Sequence, residues 1–227
     1  MANLEVYDLA ATYANANGRE VLHGVTFALD AGEVLLVHGH NGSGKSTLLK
    51  VLAGLIRATA GSVTWNGQRV GLPRLGDPTH PWVGMQMQVE NVFGGLSVRR
   101  NIDLAMRRAV TKDKRGHDRV LEDFPILQLL WSKRAGLLSG GQRKVLALAM
   151  VTLGYPPLLL LDEPLAGLSG ESASAVLAYL QARKQAGAAM IVVEHSITKL
   201  GNGLVDLHAE MIEGRLSPPS RLSADNV

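Results

Sequence analysis

At 227 residues the chain is long enough for one large domain or two small ones, and a hydrophobic content of 46% supplies a packed core. The 23 Lys and Arg against 20 Asp and Glu leave a net charge of only +3, too small a surplus to argue for nucleic acid or an anionic membrane surface. The absence of cysteine excludes a disulfide scaffold and thiolate metal ligands.

In chain order, Met1 to Leu9 lacks the basic start and long apolar run of a signal peptide, and the longest apolar runs, such as Ala186 to Val193, fall far short of the ~20 residues of a spanning helix, which leads to the expectation of a soluble protein. Residues 3–38 and 61–70 read as strands, with Val21, Val25, Phe27 and Leu29 supplying β-type side chains. Val63-Thr64-Trp65 runs into Asn66-Gly67, a hairpin signal. Between these lie a short apolar run at Val34–Val37, a glycine-rich loop, and a helix marked by Leu48, Leu49, Val51, Leu52 and Leu55. Leu72 to Pro81 reads as a loop, and helical spacing begins near Ser97 with Ile102, Ala105, Met106 and Ala109. Thr111 to Asp118 reads as a solvated connection, and a helix from Arg119 to Leu130 is interrupted by Pro125. A further helix is expected after Gln142, running to Leu153. Leu158 to Leu161 is a four-leucine strand, Ala173 to Leu180 marks a helix ending near Gly187, and Met190 to Val193 is another buried strand. Buried strands alternating with helices predict an α/β fold with a parallel sheet, beside an antiparallel one. The tail from Ser217 to Val227 is expected to fray.

The glycine-rich loop is Gly39, His40, Asn41, Gly42, Ser43, Gly44, Lys45, Ser46 and Thr47, which fits G-x-x-x-x-G-K-[ST] between a strand and a helix. A polyphosphate tail needs converging N–H donors and no side chains in the way. Glycines permit that nest, and the helix N-terminus adds roughly half a positive charge. Lys45 is expected on the β- and γ-phosphates, and the Ser46 hydroxyl on Mg²⁺. The leucine strand ends in Asp162-Glu163, where Asp162 is a second anchor for Mg²⁺ and Glu163 can polarise an attacking water. Leu138-Ser139-Gly140-Gly141-Gln142 opens a helix with small residues and free N–H groups, a second γ-phosphate site.

That last stretch reads LSGGQ, and here the chain resembles the ATP-binding cassette (ABC) ATPases. The resemblance runs through nearly the whole chain in order. It comprises Tyr13 for adenine stacking, the phosphate loop, Gln88 at the glutamine loop, the signature Ser139, Gly140, Gly141 and Gln142, then Asp162 and Glu163, the loop Ala166 to Ser169, and His195. Gln86 competes with Gln88, since on one strand both fall on the same face; spacing to Leu96-Ser97-Val98 favours Gln88. Ser169 replaces the aspartate common in the family, and Val145 and Met150 stand where arginine is frequent.

The resemblance implies a phosphate-loop core with an antiparallel β subdomain (1–90 and 154–227) and an inserted helical subdomain (about 91–153). It implies ATP and Mg²⁺ as ligands, with Ser46, Gln88 and Asp162 around the metal. Glu163 would act as general base, His195 and Gln88 would address the γ-phosphate and water, and Lys45 would stabilise phosphoryl charge. It further implies a head-to-tail dimer with an identical or related cassette, and a membrane permease at the cytoplasmic face as partner. A finer resemblance, in Asp123-Phe124-Pro125-Ile126-Leu127 and Arg134-Ala135-Gly136, is to the ATPase subunits of branched-chain or hydrophobic amino acid importers. The alternatives are an ABC ATPase acting on nucleic acid or ribosomes, a transporter of another substrate, and an ATP sensor that does not hydrolyse.

Overall fold

The computed structural model describes residues 3–12, 20–70, 82–88, 92–108, 115–168, 170–195, 197–201 and 203–222. Tyr13, Ser169 and the whole proline-rich Leu72–Pro81 stretch lie outside them. Within them, β1 (Leu4–Thr12), β2 (Glu20–Leu29), β4 (Ala58–Trp65) and β5 (Gln68–Val70) form an antiparallel sheet in the order β2-β1-β4-β5. The β4–β5 connection is the expected hairpin. Asn66 and Gly67 both have positive φ, 50° and 74°, as the tight turn matching strand twist demands.

A second sheet holds β3 (Val34–His38), β6 (Val83–Gln86), β7 (Leu158–Asp162), β8 (Ala189–Val193), β9 (Leu207–Ile212) and β10 (Arg215–Leu216), in the order β10-β9-β3-β8-β7-β6. Its members from β9 to β6 run parallel. Val34, Leu36, Leu159, Leu161, Met190 and Val192 point to one face. Leu35, Val37, Leu158, Leu160, Ile191 and Val193 point to the other. Burial on both faces is why these strands read as unbroken apolar runs.

One face packs on α1 (Lys45–Leu52) and the antiparallel sheet. The other packs on α4 (Gly140–Thr152), α5 (Gly170–Gln185) and the segment between β6 and β7, which holds α2 (Val98–Arg108) and α3 (Gly116–Asp123). After α3 the chain tightens into a 3-10 turn at Pro125–Leu130, because Pro125 offers no N–H to continue an α-helix. Phe124, 1% exposed, packs against Tyr179 of α5 with ring centroids 4.6 Å apart and tilted by 33°, and joins that segment to the core. The Asp123–Leu127 stretch that suggested hydrophobic amino acids is thus a packing element.

Three expectations are corrected. α4 begins at Gly140, two residues before Gln142, because Ser139 caps it. The tail does not fray from Ser217: β11 (Ser220–Arg221) pairs with β9, Ser217 N–H donates to the Glu210 carbonyl at 2.9 Å, and Leu222 N–H donates to the Asp206 carbonyl at 3.1 Å. Residues 116–118 open α3 instead of lying in the solvated connection.

Candidate active site

The phosphate loop leaves β3 at His38 and enters α1 at Lys45. Gly39 has φ 139°, and a Cβ there would run into the Met211 carbonyl oxygen of β9. The central sheet therefore dictates glycine at the loop's first turn. Gly44 is the N-cap of α1 with no side chain to cap it, and the first turn carries no acidic residue. The opening N–H groups of α1 thus meet no competing side-chain acceptor from their own cap, which is what an anion site at a helix N-terminus requires.

Asn41, Gly42, Gly44, Lys45, Ser46 and Thr47 line one side of an open cleft of about 250 Å³, with Gln88, Asp162, Glu163 and Val193 opposite. Gly39, His40 and Ser43 complete the loop at its rim and base; Ser43 is 1% exposed. Lys45 Nζ donates to the carbonyls of Gly39 and His40, both at 2.8 Å. Burial pulls its pKa below the usual lysine value, opposed by the nearby carboxylates of Asp162 and Glu163. Burial pushes the Asp162 carboxyl up, opposed by the hydrogen bond it takes from the Ser46 hydroxyl.

Glu163 sits where β7 ends. Its Oε2 accepts from Gln88 Nε2 at 3.2 Å and its Oε1 from His195 Nε2 at 3.0 Å. A carboxylate only accepts, so His195 presents its Nε2 proton to it. Gln86 and Gln88 do not share a strand face, because β6 stops at Gln86. Gln88 reaches the cleft, whereas Gln86, 3% exposed, donates to the Lys144 carbonyl at 3.4 Å.

A divalent cation fits beside Lys45. Ser46 hydroxyl and Asp162 carboxylate already touch, Gln88 lines the same cleft, and all three offer the oxygen atoms that Mg²⁺ favours. Among the described residues no three His, Cys, Asp or Glu side chains cluster into a metal site of their own. That suits Mg²⁺, which keeps waters and substrate phosphates as ligands.

The signature residues lie apart from this cleft. None of Ser139, Gly140, Gly141 and Gln142 lines it. Instead Ser139 Oγ accepts from Gln142 N–H at 3.2 Å, and Gln142 Oε1 accepts from Ser139 N–H at 3.1 Å, a reciprocal capping box. The S-x-x-Q spacing in the sequence was sufficient to find this cap. Two residues were not singled out from sequence, Lys144 and Glu194, which are buried beside Glu163.

The sequence pattern of ABC transporters matches residues 22–166. The chain belongs to the ABC transporter family. It is an ATP-binding subunit of that family and an ATPase. The chain is 32% identical over 217 residues to the high-affinity branched-chain amino acid transport ATP-binding protein BraG of Pseudomonas aeruginosa, covering 89% of this chain and 91% of that one. It is 38% identical over 161 residues to the molybdenum import ATP-binding protein ModC of Aromatoleum aromaticum, covering 69% of this chain but 42% of the relative. A solved ATP-binding subunit of an ABC transporter superposes with a TM-score of 0.82 at 26% identity, over 96% of this chain and 90% of that one. Among the described residues of this ABC ATPase, no helix is long and apolar enough to cross a membrane.

Proposed function

We propose that this ABC ATPase drives an importer of branched-chain or other hydrophobic amino acids, with Glu163 as the base that activates water. The observation behind the chemistry is the placement of Glu163 at the cleft, held by Gln88 and His195 opposite Lys45. In this reading Lys45 and the α1 N-terminus bind the phosphates, and His195 and Gln88 orient the carboxylate and the attacking water. Ser46, Asp162 and Gln88 would hold Mg²⁺, which supplies a Lewis acid on the phosphate oxygens. Residues 91–153 act as the helical subdomain that carries the signature. Because the signature lies off its own cleft, two chains meet head to tail, each lending Ser139 and the signature N–H groups to the other's site. The permease would hold both at the cytoplasmic face of the membrane.

The substrate class rests on the end-to-end match with BraG. A different imported substrate is the second reading, favoured by the higher local identity to a molybdenum import protein. Vesicles holding the co-purified membrane subunits decide between them: ATP-driven uptake of leucine, isoleucine or valine supports the first, and uptake of an oxyanion in their place supports the second. For the chemistry, Glu163→Gln removes the base and keeps the shape. Hydrolysis should fall by roughly 10²–10⁴-fold while ATP binding persists. A variant that turns over at the normal rate would show that Glu163 is not the base.

A further inference from the structure

Glu163 is held in a backbone conformation that its residue type disfavours. Its φ is 51°, in the left-handed region where a Cβ crowds the chain. Such a residue persists only where the surroundings over-determine it. Its own N–H donates to the Val193 carbonyl at 2.9 Å, and the Ala166 N–H closes the turn onto the Glu163 carbonyl at 3.2 Å.

Two buried charges from other elements complete the restraint. Lys144, on the second turn of α4 and 5% exposed, donates from Nζ to the Glu163 carbonyl at 2.7 Å and to the Ala166 carbonyl at 2.8 Å. Glu194, fully buried between β8 and His195, accepts the Leu165 N–H on Oε1 at 3.0 Å. Among the described residues its Oε2 accepts no hydrogen bond, and it faces Lys199 Nζ at 3.9 Å. An ammonium and a carboxylate are costly to bury, and here they grip three of the four residues from Glu163 to Ala166.

We propose that Lys144 and Glu194 are positioning residues that lock the Glu163–Ala166 turn, so that the Glu163 carboxylate stands ready between Gln88 and His195. Lys144 belongs to the signature helix and Glu194 adjoins His195, so the turn is fixed from both of the elements that flank the chemistry. This rests on the reading of Glu163 as base. The lock acts on orientation, so its loss should lower kcat and spare nucleotide affinity; displacements of about 1 Å can cost about 10²-fold in rate.

The test uses the full chain, together with its membrane subunits where turnover needs them. Lys144→Met removes the charge and keeps the length. Its kcat should drop about tenfold or more, with KM for ATP and calorimetric ADP affinity within about twofold of the parent. Lys144→Arg should restore most of the rate, and Glu194→Leu should lose several-fold. Should Lys144→Met not fold, Lys144→Gln, which can still donate to one carbonyl, should give an intermediate kcat. In a Glu163→Gln background, Lys144→Met should slow the residual rate no further, because nothing remains to be positioned. A parental kcat in Lys144→Met with only a lower melting temperature would overturn the lock and leave the base reading standing. So would an equal further loss in the Glu163→Gln background. Normal turnover by Glu163→Gln alone would instead overturn the base reading.

Discussion

In the proposed function two helix N-termini of this molecule address phosphate, and they are finished differently. α1 starts at Gly44 and Lys45 with no side-chain cap, and opens on the cleft. α4 starts at Ser139 and Gly140 with both members of a capping box in place, and lies off the cleft. An uncapped N-terminus leaves its donors to a ligand, whereas a capping box takes up two, the N–H groups of Ser139 and Gln142, and leaves those of Gly140 and Gly141 outside it. On that reading the first can bind phosphate in a single chain. In the proposed head-to-tail dimer, a partner's nucleotide that engaged the Ser139 hydroxyl would displace its bond to Gln142, so the gain there would be a difference between two sets of bonds.

Removing the charge at the open terminus should have the largest effect. Lys45→Ala should weaken ATP binding roughly 10–150-fold, as expected for one or two lost bonds to a charged group, and leave adenosine binding unchanged. Equal losses for both ligands by calorimetry would point to misfolding and erase the contrast.

Mixing two inactive chains sharpens the comparison. In a head-to-tail mixed dimer of Lys45→Ala and Ser139→Arg, both lesions fall on one composite site and the other pairs a sound loop with a sound signature. Equal mixing makes about half of the dimers mixed, each with one working site, so about a quarter of the normal ATPase rate should return. A flat zero, with mixed dimers confirmed by tagged pull-down, would mean that the two termini do not form independent composite sites.

The smallest effect belongs to the cap itself. Ser139→Ala should cost about 1 kcal/mol of stability and lower the melting temperature by about 2–4 °C, read by circular dichroism. No change would show that the box is idle in the free chain.

What the sequence could convey was local. The phosphate loop, the leucine strand and LSGGQ each carry their meaning within about ten residues, and the structure positions the loop and the acidic pair at one cleft. β9 was not anticipated, because its partner β3 lies some 170 residues earlier, and alternating His208 and Glu210 disguise a strand within the sheet. Lys144 and Glu194 were passed over for a related reason. A charged residue in a helix or after a strand reads as solvated surface, and only the folded chain reveals that each reaches a buried backbone group. Strand alternation could not separate Gln86 from Gln88, because it holds only while a strand continues and β6 ends between them; the spacing to Leu96-Ser97-Val98 was what favoured Gln88.

The four identical leucines of β7 have a consequence for folding fidelity. Leu158 to Leu161 pair with Ala189 to Val192, and leucine faces both sides of the sheet, so the apolar pattern cannot choose the register. The ends of the strand choose it. A slip of one residue in one direction would bring Asp162 opposite Val192, a carboxylate drawn one step deeper into an apolar sheet. A slip the other way would bring Pro157 opposite Ala189, where it offers no N–H to the ladder. The acidic pair therefore disciplines the strand that presents it in one direction, and Pro157 in the other: a slip that draws Asp162 inward is penalised by the same carboxylate that the correct register delivers to the cleft.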